Sequence, residues 1–247
     1  MAILTIDSGN SYIKWGLRDN NQWIKKGKVH YLDASLLKNH FIAFPKPTAI
    51  IVSHVGKIVI RNELEQILTS IFSLEPYWIV AQKNGFGISN HYHDPRQLGS
   101  DRWAALIAAW EKNNHHACLV VNVGTAMTVD ALSDQGEFLG GIIVPGNHLI
   151  LENLFSGTQL ENQKRGCYEN FPLNTGDAIQ SGVIHCLVGA IERMHNLLSN
   201  QLESLEIKCV MSGGGANKLT PYIKLPMLAV DELVLEGLAI IGGSSDN

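Results

Sequence analysis

Long apolar runs are missing from this chain. None of its hydrophobic stretches is long enough to span a bilayer. The N-terminus enters a strand pattern at once, without the basic segment and apolar core of a secretory signal. Cysteine is scarce as well. Cys118, Cys167, Cys186 and Cys209 are scattered with no C-x-x-C pair. That argues against a disulfide scaffold or zinc site and points to a reduced, cytoplasmic setting. A surplus of positive charge is also lacking: 19 Lys and Arg against 23 Asp and Glu leave a net −4, which gives no general attraction for nucleic acid or an anionic membrane. No low-complexity linker interrupts the chain. What remains is a 247-residue sequence, 45% hydrophobic and 17% charged. It can bury a substantial core as one large domain or two modest ones.

Apolar spacing gives the outline. Ala2 to Asp7 and Tyr12 to Leu17 predict a hairpin, with Trp23 to Tyr31 extending the sheet. Short apolar runs at Ala49 to Ser53 and Tyr77 to Val80 predict buried strands. Ile60, Leu64, Ile67, Leu68 and Ile71 have helical spacing within Val59 to Phe72. Lys83 to Leu98 is a long irregular stretch, and loops of that length in a compact domain are usually functional or mobile. Ser100 to Trp110 predicts an alanine-rich helix with Ser100 as N-cap. Cys118 to Val123 and Ala126 to Leu132 predict a second hairpin, and Gly136 to Val144 a strand ending at Pro145-Gly146. A long helix follows over Asn174 to Leu198, with a kink expected at Ser181-Gly182. A strand over Ile207 to Met211, a short helix and a closing helix over Asp231 to Ile241 complete the chain. Strands alternate with helices, so the class is α/β.

One pattern occurs twice. "LTIDSGNSYIKWGL" (residues 4–17) and "LVVNVGTAMTVDAL" (residues 119–132) both run from apolar strand through Asp or Asn, one residue, Gly and a small polar residue into a second strand. Asp7 corresponds to Asn122, Gly9 to Gly124 and Asn10 to Thr125. Gly and Asn are ordinary turn residues, so one such turn says little; the repeat says more. Glycine lets backbone approach a phosphate, and turn amides with Asn or Thr side chains donate to its oxygens. A first-turn carboxylate such as Asp7 can hold Mg²⁺, usually through water. Ser8, Ser11 and Lys14 belong to the same candidate ATP-binding set. For Lys14 a plain strand-edge role competes with phosphate contact. A third glycine segment, Ser212-Gly213-Gly214-Gly215-Ala216, follows a strand and opens a helix, as an adenosine-binding edge would. It is neither a P-loop nor G-x-G-x-x-G. A duplicated domain with a phosphate turn in each half is the plan of the sugar kinase, heat-shock ATPase and actin superfamily.

Phosphoryl transfer needs positioning, charge neutralisation and a carboxylate to orient or deprotonate the acceptor. "YHDPRQLGSDRWAAL" (residues 92–106) supplies Asp101 and Arg102 in a first helical turn. Asp101 could simply favour the helix dipole. Arg102 is locally unfavourable there, so it should face an anion.

These segments carry a family resemblance. In order they are Asp7-Ser8-Gly9-Asn10-Ser11, Tyr92 with Pro95, Gly99-Ser100-Asp101-Arg102, Gly124-Thr125-Ala126 with Thr128 and Asp130, Gly140-Gly141 through Pro145-Gly146, Asn174-Thr175, and Gly213 to Ala216. Together they resemble the type III pantothenate kinases over nearly the whole chain. The resemblance implies a duplicated actin-like, ribonuclease H-like fold, with subdomains expected at 1–115 and 116–247. It implies ATP-dependent phosphorylation of the terminal hydroxyl of pantothenate to 4'-phosphopantothenate, the first step of coenzyme A biosynthesis. Asp101 would be the general base. Tyr92, Gly99, Ser100 and Arg102 would form the pantothenate site, with Thr175 reaching it from a partner subunit of a homodimer. Asp7, Asn10 and Thr125 would handle Mg²⁺ and phosphates, and Gly213 and Gly214 the adenosine. A monovalent cation, K⁺ or NH₄⁺, is also implied, with Asp130 its candidate ligand.

Asn122 departs from the family's usual Asp and keeps a carbonyl oxygen without the charge, which should weaken cation affinity. The competing readings are another small-molecule kinase of the superfamily and a non-catalytic ATP-binding regulator on the same fold. Blander readings cover the rest. His91-x-His93 reads as exposed loop and His115-His116 as a polar link. Ala104, Ala105, Ala108 and Ala109 read as close helix packing, Gly140-Gly141 and Pro145-Gly146 as structural turns, and Lys164-Arg165 as a solvated loop.

Overall fold

The computed structural model describes residues 1–158, 160, 166–203 and 206–244. Lys164, Arg165 and the last three residues of the tail lie outside the described residues. The chain divides into two compact units, Met1–Lys112 with the segment from Glu232 onward, and Asn113–Asp231.

The first unit opens with β1 (Ala2–Ser8), β2 (Tyr12–Asp19) and β3 (Gln22–His30), an antiparallel meander. A 3₁₀ turn (Tyr31–Leu36) and α1 (Leu37–Phe41) lead to β4 (Ala49–His54), which pairs parallel to β1. Helix α2 (Ile58–Phe72) precedes β5 (Tyr77–Trp78), parallel to β4 and shorter than the apolar run predicts. The strand order is β3-β2-β1-β4-β5. β1 is central and covered on both faces, so its residues are apolar on successive positions rather than alternately. Leu4, Ile6, Ile13, Trp15, Ile50 and Val52 point to one face, against Phe41, Leu64, Leu68 and Phe72.

The stretch 83–98 has more order than its composition suggests. β6 (Asn84–Gly85) and β7 (Ile88–Asn90) pair as a small hairpin, followed by a 3₁₀ turn over Pro95–Gln97. Asn90 is fully buried and ties the loop together. It donates to the Pro95 carbonyl (3.0 Å), its side-chain oxygen accepts from the Tyr92 N–H (3.0 Å), and its own carbonyl accepts from Lys83 Nζ (3.0 Å). The loop thus holds itself by satisfying one buried amide. Helix α3 (Ser100–Lys112) follows, its alanines buried.

The second unit repeats the plan. β8 (Cys118–Val123), β9 (Ala126–Leu132) and β10 (Glu137–Pro145) form an antiparallel meander. Helices α4 (Asn147–Ser156) and α5 (Thr175–Leu202) follow. α5 runs as one helix of 28 residues through the expected kink at Ser181-Gly182, and Asn174 caps it by accepting from the Asp177 N–H (3.0 Å). β11 (Lys208–Ser212) lies parallel to β8, α6 (Ala216–Leu219) follows the glycine segment, and β12 (Met227–Ala229) lies parallel to β11. The order β10-β9-β8-β11-β12 is that of the first unit, element for element.

The closing helix α7 (Leu233–Gly243) returns to the first unit, whereas the division expected at 115/116 kept it with the second half. Nearly every α7 residue is buried, and it packs on α3, β1 and β4. Gly237 explains the fit with α3, because a Cβ there would collide with the backbone of Ala104. Gly237→Ala should therefore cost about 1–3 kcal/mol through overpacking. Thermal melting reads this directly, and an unchanged midpoint would show that the two helices can part without loss.

Candidate active site

In an open α/β sheet, ligands gather beyond the carboxyl ends of parallel strands. The first unit places Asp7 and Ser8 at that end of β1 and Ser53 and His54 at that end of parallel β4, in register as Asp7↔Ser53 and Ser8↔His54. The turn after β1 is closed by Gly9 N–H donating to the Tyr12 carbonyl (3.1 Å), with Asn10 exposed at its tip.

A polar lattice joins this turn to α3. The His54 ring nitrogen Nδ1 shares a hydrogen bond with Ser8 Oγ (3.0 Å), and the His54 N–H donates to Ser100 Oγ (3.2 Å). Ser53 and Ser100 hydroxyls are 2.9 Å apart and buried. Ser100 is therefore not simply the N-cap that sequence expects: its hydroxyl turns inward and fixes the start of α3 against β4. Gly56 lies close by, where a Cβ would stand 3.2 Å from the Gly9 carbonyl oxygen.

That anchoring sets Asp101. Its carboxylate oxygen accepts from the Arg102 N–H (2.8 Å). Gly99 leaves the space it occupies, since a Cβ on Gly99 would lie 2.6 Å from Asp101 Oδ1. Burial pushes the Asp101 carboxyl above its ordinary value, against the pull of the Arg102 N–H and charge. Arg102 is buried, donates to the Tyr92 hydroxyl (3.1 Å), and lies 5.7 Å from the Tyr92 ring centre. Tyr92, Gly99, Ser100, Asp101 and Arg102 are thus brought together.

Asp7 completes the group. Burial, first, and then the charge of Asp101 raise its carboxyl to about 7, with Lys14 lowering and Glu232 raising it further. Two acids that disfavour each other's ionisation form a place where a cation would relieve the repulsion. The residues fit Mg²⁺ held through water on Asp7, although among the described residues no group of three or more His, Cys, Asp or Glu is arranged to ligate a metal directly. Lys14 sits opposite Asp7 across β1 and β2, but its ammonium pairs with Glu232 at 2.7 Å.

The second unit holds its own set. In the turn after β8 the Gly124 N–H donates to the Ala126 carbonyl (3.0 Å), and Gly124 and Thr125 are exposed. Gly146 N–H donates to the Thr125 carbonyl (2.9 Å) and Gly215 N–H to the Val123 carbonyl (3.0 Å), so the phosphate-type turn and the third glycine segment are neighbours. Gly213 has φ +95°, and a Cβ there would strike Val123 and Asn122 Oδ1 at 2.5–2.7 Å. This position requires glycine. Gly214 is exposed with open space beside it. Asp130 is buried in β9, opposite Val120 in register. Thr175 is exposed at the start of α5, near Phe171 and Leu173 in sequence, which are 89% and 98% exposed.

Three residues of the site escaped the sequence reading. The apolar run predicts a strand ending at Ser53, one residue short of His54, and gives neither as a partner of the first turn. Glu232 read only as the start of a helix. Their shared signal is position at the end of a parallel strand or at the return of the chain to the first sheet.

Known proteins share this architecture and much of this sequence. Among solved structures, a putative 2-dehydro-3-deoxygalactonokinase from Sinorhizobium meliloti superposes with TM-score 0.62 at 15% identity, covering 96% of this chain and 97% of that one. A putative Baf family transcriptional activator from Campylobacter jejuni gives 0.58 at 20% identity, covering 96% of each. At these identities the likeness establishes the fold: an actin-like duplicated α/β architecture. Sequence relatives are nearer. A type III pantothenate kinase of Nitrosomonas eutropha is 46% identical over 99% of this chain and 95% of its own length. One of Nitrosospira multiformis is 41% identical over 97% and 90%. The sequence profile of the type III pantothenate kinases matches residues 3–197, a span containing both phosphate-type turns and the Gly99–Arg102 segment. With both turns, the Asp101 helix and the repeated sheet order on one chain, this protein belongs to the type III pantothenate kinase family.

Proposed function

We propose that this protein transfers the γ-phosphoryl group of ATP to the terminal hydroxyl of pantothenate. The carrying observation is the pair Asp7 and Asp101, which lie at the carboxyl edge of the first sheet with Arg102 and Tyr92 beside them. Asp101 takes the hydroxyl proton as the new O–P bond forms and the bond between the γ-phosphorus and the β–γ bridging oxygen breaks. Burial raises its carboxyl above the ordinary value, which strengthens it as a base. Arg102 and Tyr92 bind the acceptor, with Gly99 and Ser100 shaping the pocket. Ser8, Gly9, Asn10, Ser11 and Lys14 form one ATP-binding set, and Gly124 and Thr125 form a second. Gly213 and Gly214 receive the adenosine. Mg²⁺ on Asp7, when bound, neutralises phosphate charge.

A monovalent cation, K⁺ or NH₄⁺, is also bound, with Asp130 its ligand. The protein works as a cytoplasmic homodimer in which Thr175 contacts the partner's pantothenate. Phe171 and Leu173, 89% and 98% exposed and next to Thr175 in sequence, are the apolar surface that this dimer would cover. Among the described residues no helix is long and apolar enough to cross a membrane.

The test is ADP release with Mg-ATP and a panel of acceptors in potassium, ammonium and sodium buffers. Turnover should require pantothenate and should be fastest in potassium or ammonium. Equal turnover with sugars would replace the substrate assignment, and equal rates in sodium would remove the cation site.

A further inference from the structure

Glu232 stands at the N-cap position of α7, yet its side chain caps nothing there. Its backbone is in the left-handed region (φ 51°, ψ 53°), which is uncommon outside glycine and costs on the order of 1 kcal/mol. That conformation accompanies a carboxylate that reaches back to β2 and binds the Lys14 ammonium at 2.7 Å. Both side chains are partly buried, at 22% and 33% exposure, so the pair is less screened than a surface one.

Lys14 has a second acid within its field. It is the cross-strand partner of Asp7, and directly opposed residues of antiparallel strands project from the same face. The Lys14 charge already acts on Asp7. Nevertheless the ion pair forms with Glu232.

We propose that Glu232 is a positioning residue which holds Lys14 off Asp7, keeping the Asp7 carboxylate open to a divalent cation. Without Glu232, the Lys14 ammonium turns to Asp7 and competes with the metal as an internal cation. The same tether keeps the ammonium aimed from the Glu232 side of the turn, where it meets phosphate without neutralising the metal ligand. This inference rests on the reading of Asp7 as the cation-binding carboxylate.

A double-mutant cycle on the intact protein tests it, with Mn²⁺ alone as probe and the free-ion paramagnetic signal as readout. Glu232→Gln is nearly isosteric at a partly exposed position, and melting curves check that each variant is folded. Loss of the carboxylate should weaken Mn²⁺ binding about five- to tenfold when Lys14 is present. In the Lys14→Met background the same change should have little effect, because no ammonium remains to turn inward. Coupling of this kind distinguishes a tether from simple loss of nearby negative charge. An equal loss in both backgrounds, or no loss in either, overturns the inference. Asp7→Asn in the same titration separates the two layers. If it abolishes Mn²⁺ binding, the site reading stands and the cycle alone decides the tether. If Asp7→Asn binds Mn²⁺ as well as the native protein, the site reading fails and the tether falls with it.

Discussion

Asp101→Asn should lower turnover about 10²- to 10⁴-fold, the range expected for removing a positioned general base, while leaving the affinity for ATP nearly unchanged. The substitution keeps the size of the side chain and the oxygen that accepts the Arg102 N–H, so α3 and its anchoring through Ser100, Ser53 and His54 stay in place. What is lost is the capacity to take a proton. The Asp101 carboxyl is raised by burial, so the native enzyme should lose activity as pH falls through that raised value, and the variant should lack this limb of the profile. Steady-state rates across pH, with nucleotide binding measured separately, check both parts. Native turnover in the variant would remove Asp101 as the base. A parallel collapse of ATP affinity would assign it to nucleotide binding instead.

Asp7→Asn should abolish turnover and at the same time stabilise the protein free of ligand. The sign follows from proton linkage. In the folded chain Asp7 keeps its proton up to about 7, whereas the ordinary value is 3.8. Stability linked to that proton is fully present below the ordinary value. It drains as pH rises between the two and is gone above the folded one. Asparagine is not subject to the loss, so the melting-temperature advantage of the variant should grow from pH 4 to pH 7.5. The gap between the two values sets a ceiling of about 4 kcal/mol. Structural relaxation and water penetration around the charged form reduce this to on the order of 1–2 kcal/mol, or about 2–8 °C for a chain of this size. A variant that melts below the native protein at pH 7.5 would contradict the account of Asp7 as an acid held at a cost for function.

Much of this is legible in the sequence. The two hairpins were readable because their signals are local: apolar strands and glycine turns lie within fourteen residues of each other, and the structure closes both turns with their own backbone. The repeat of one turn by the other anticipated the repeated sheet order. The Gly99–Arg102 segment announced a helix start, yet sequence assigned Ser100 to capping, because its real partners, Ser53 and His54, are far away along the chain. The Lys14–Glu232 pair was hidden for the same reason. Ion pairs between distant segments leave no period or spacing to read. The return of α7 to the first unit depends on the fit of Gly237 against Ala104, a contact that only tertiary packing reveals. Within the stretch 83–98, composition suggests an irregular loop, and the β6–β7 hairpin together with the buried Asn90 amide orders it.

The central claim is transfer of one phosphoryl group to one particular oxygen. The most direct measurement incubates the protein with γ-labelled Mg-ATP and pantothenate and then locates the label by mass and by ³¹P–¹H coupling in the product. The account predicts one labelled phosphoryl group on the terminal hydroxyl oxygen of pantothenate, coupled to the protons of the carbon bearing that oxygen and formed in step with ADP. Label released only as inorganic phosphate, or carried on another acceptor, would contradict it.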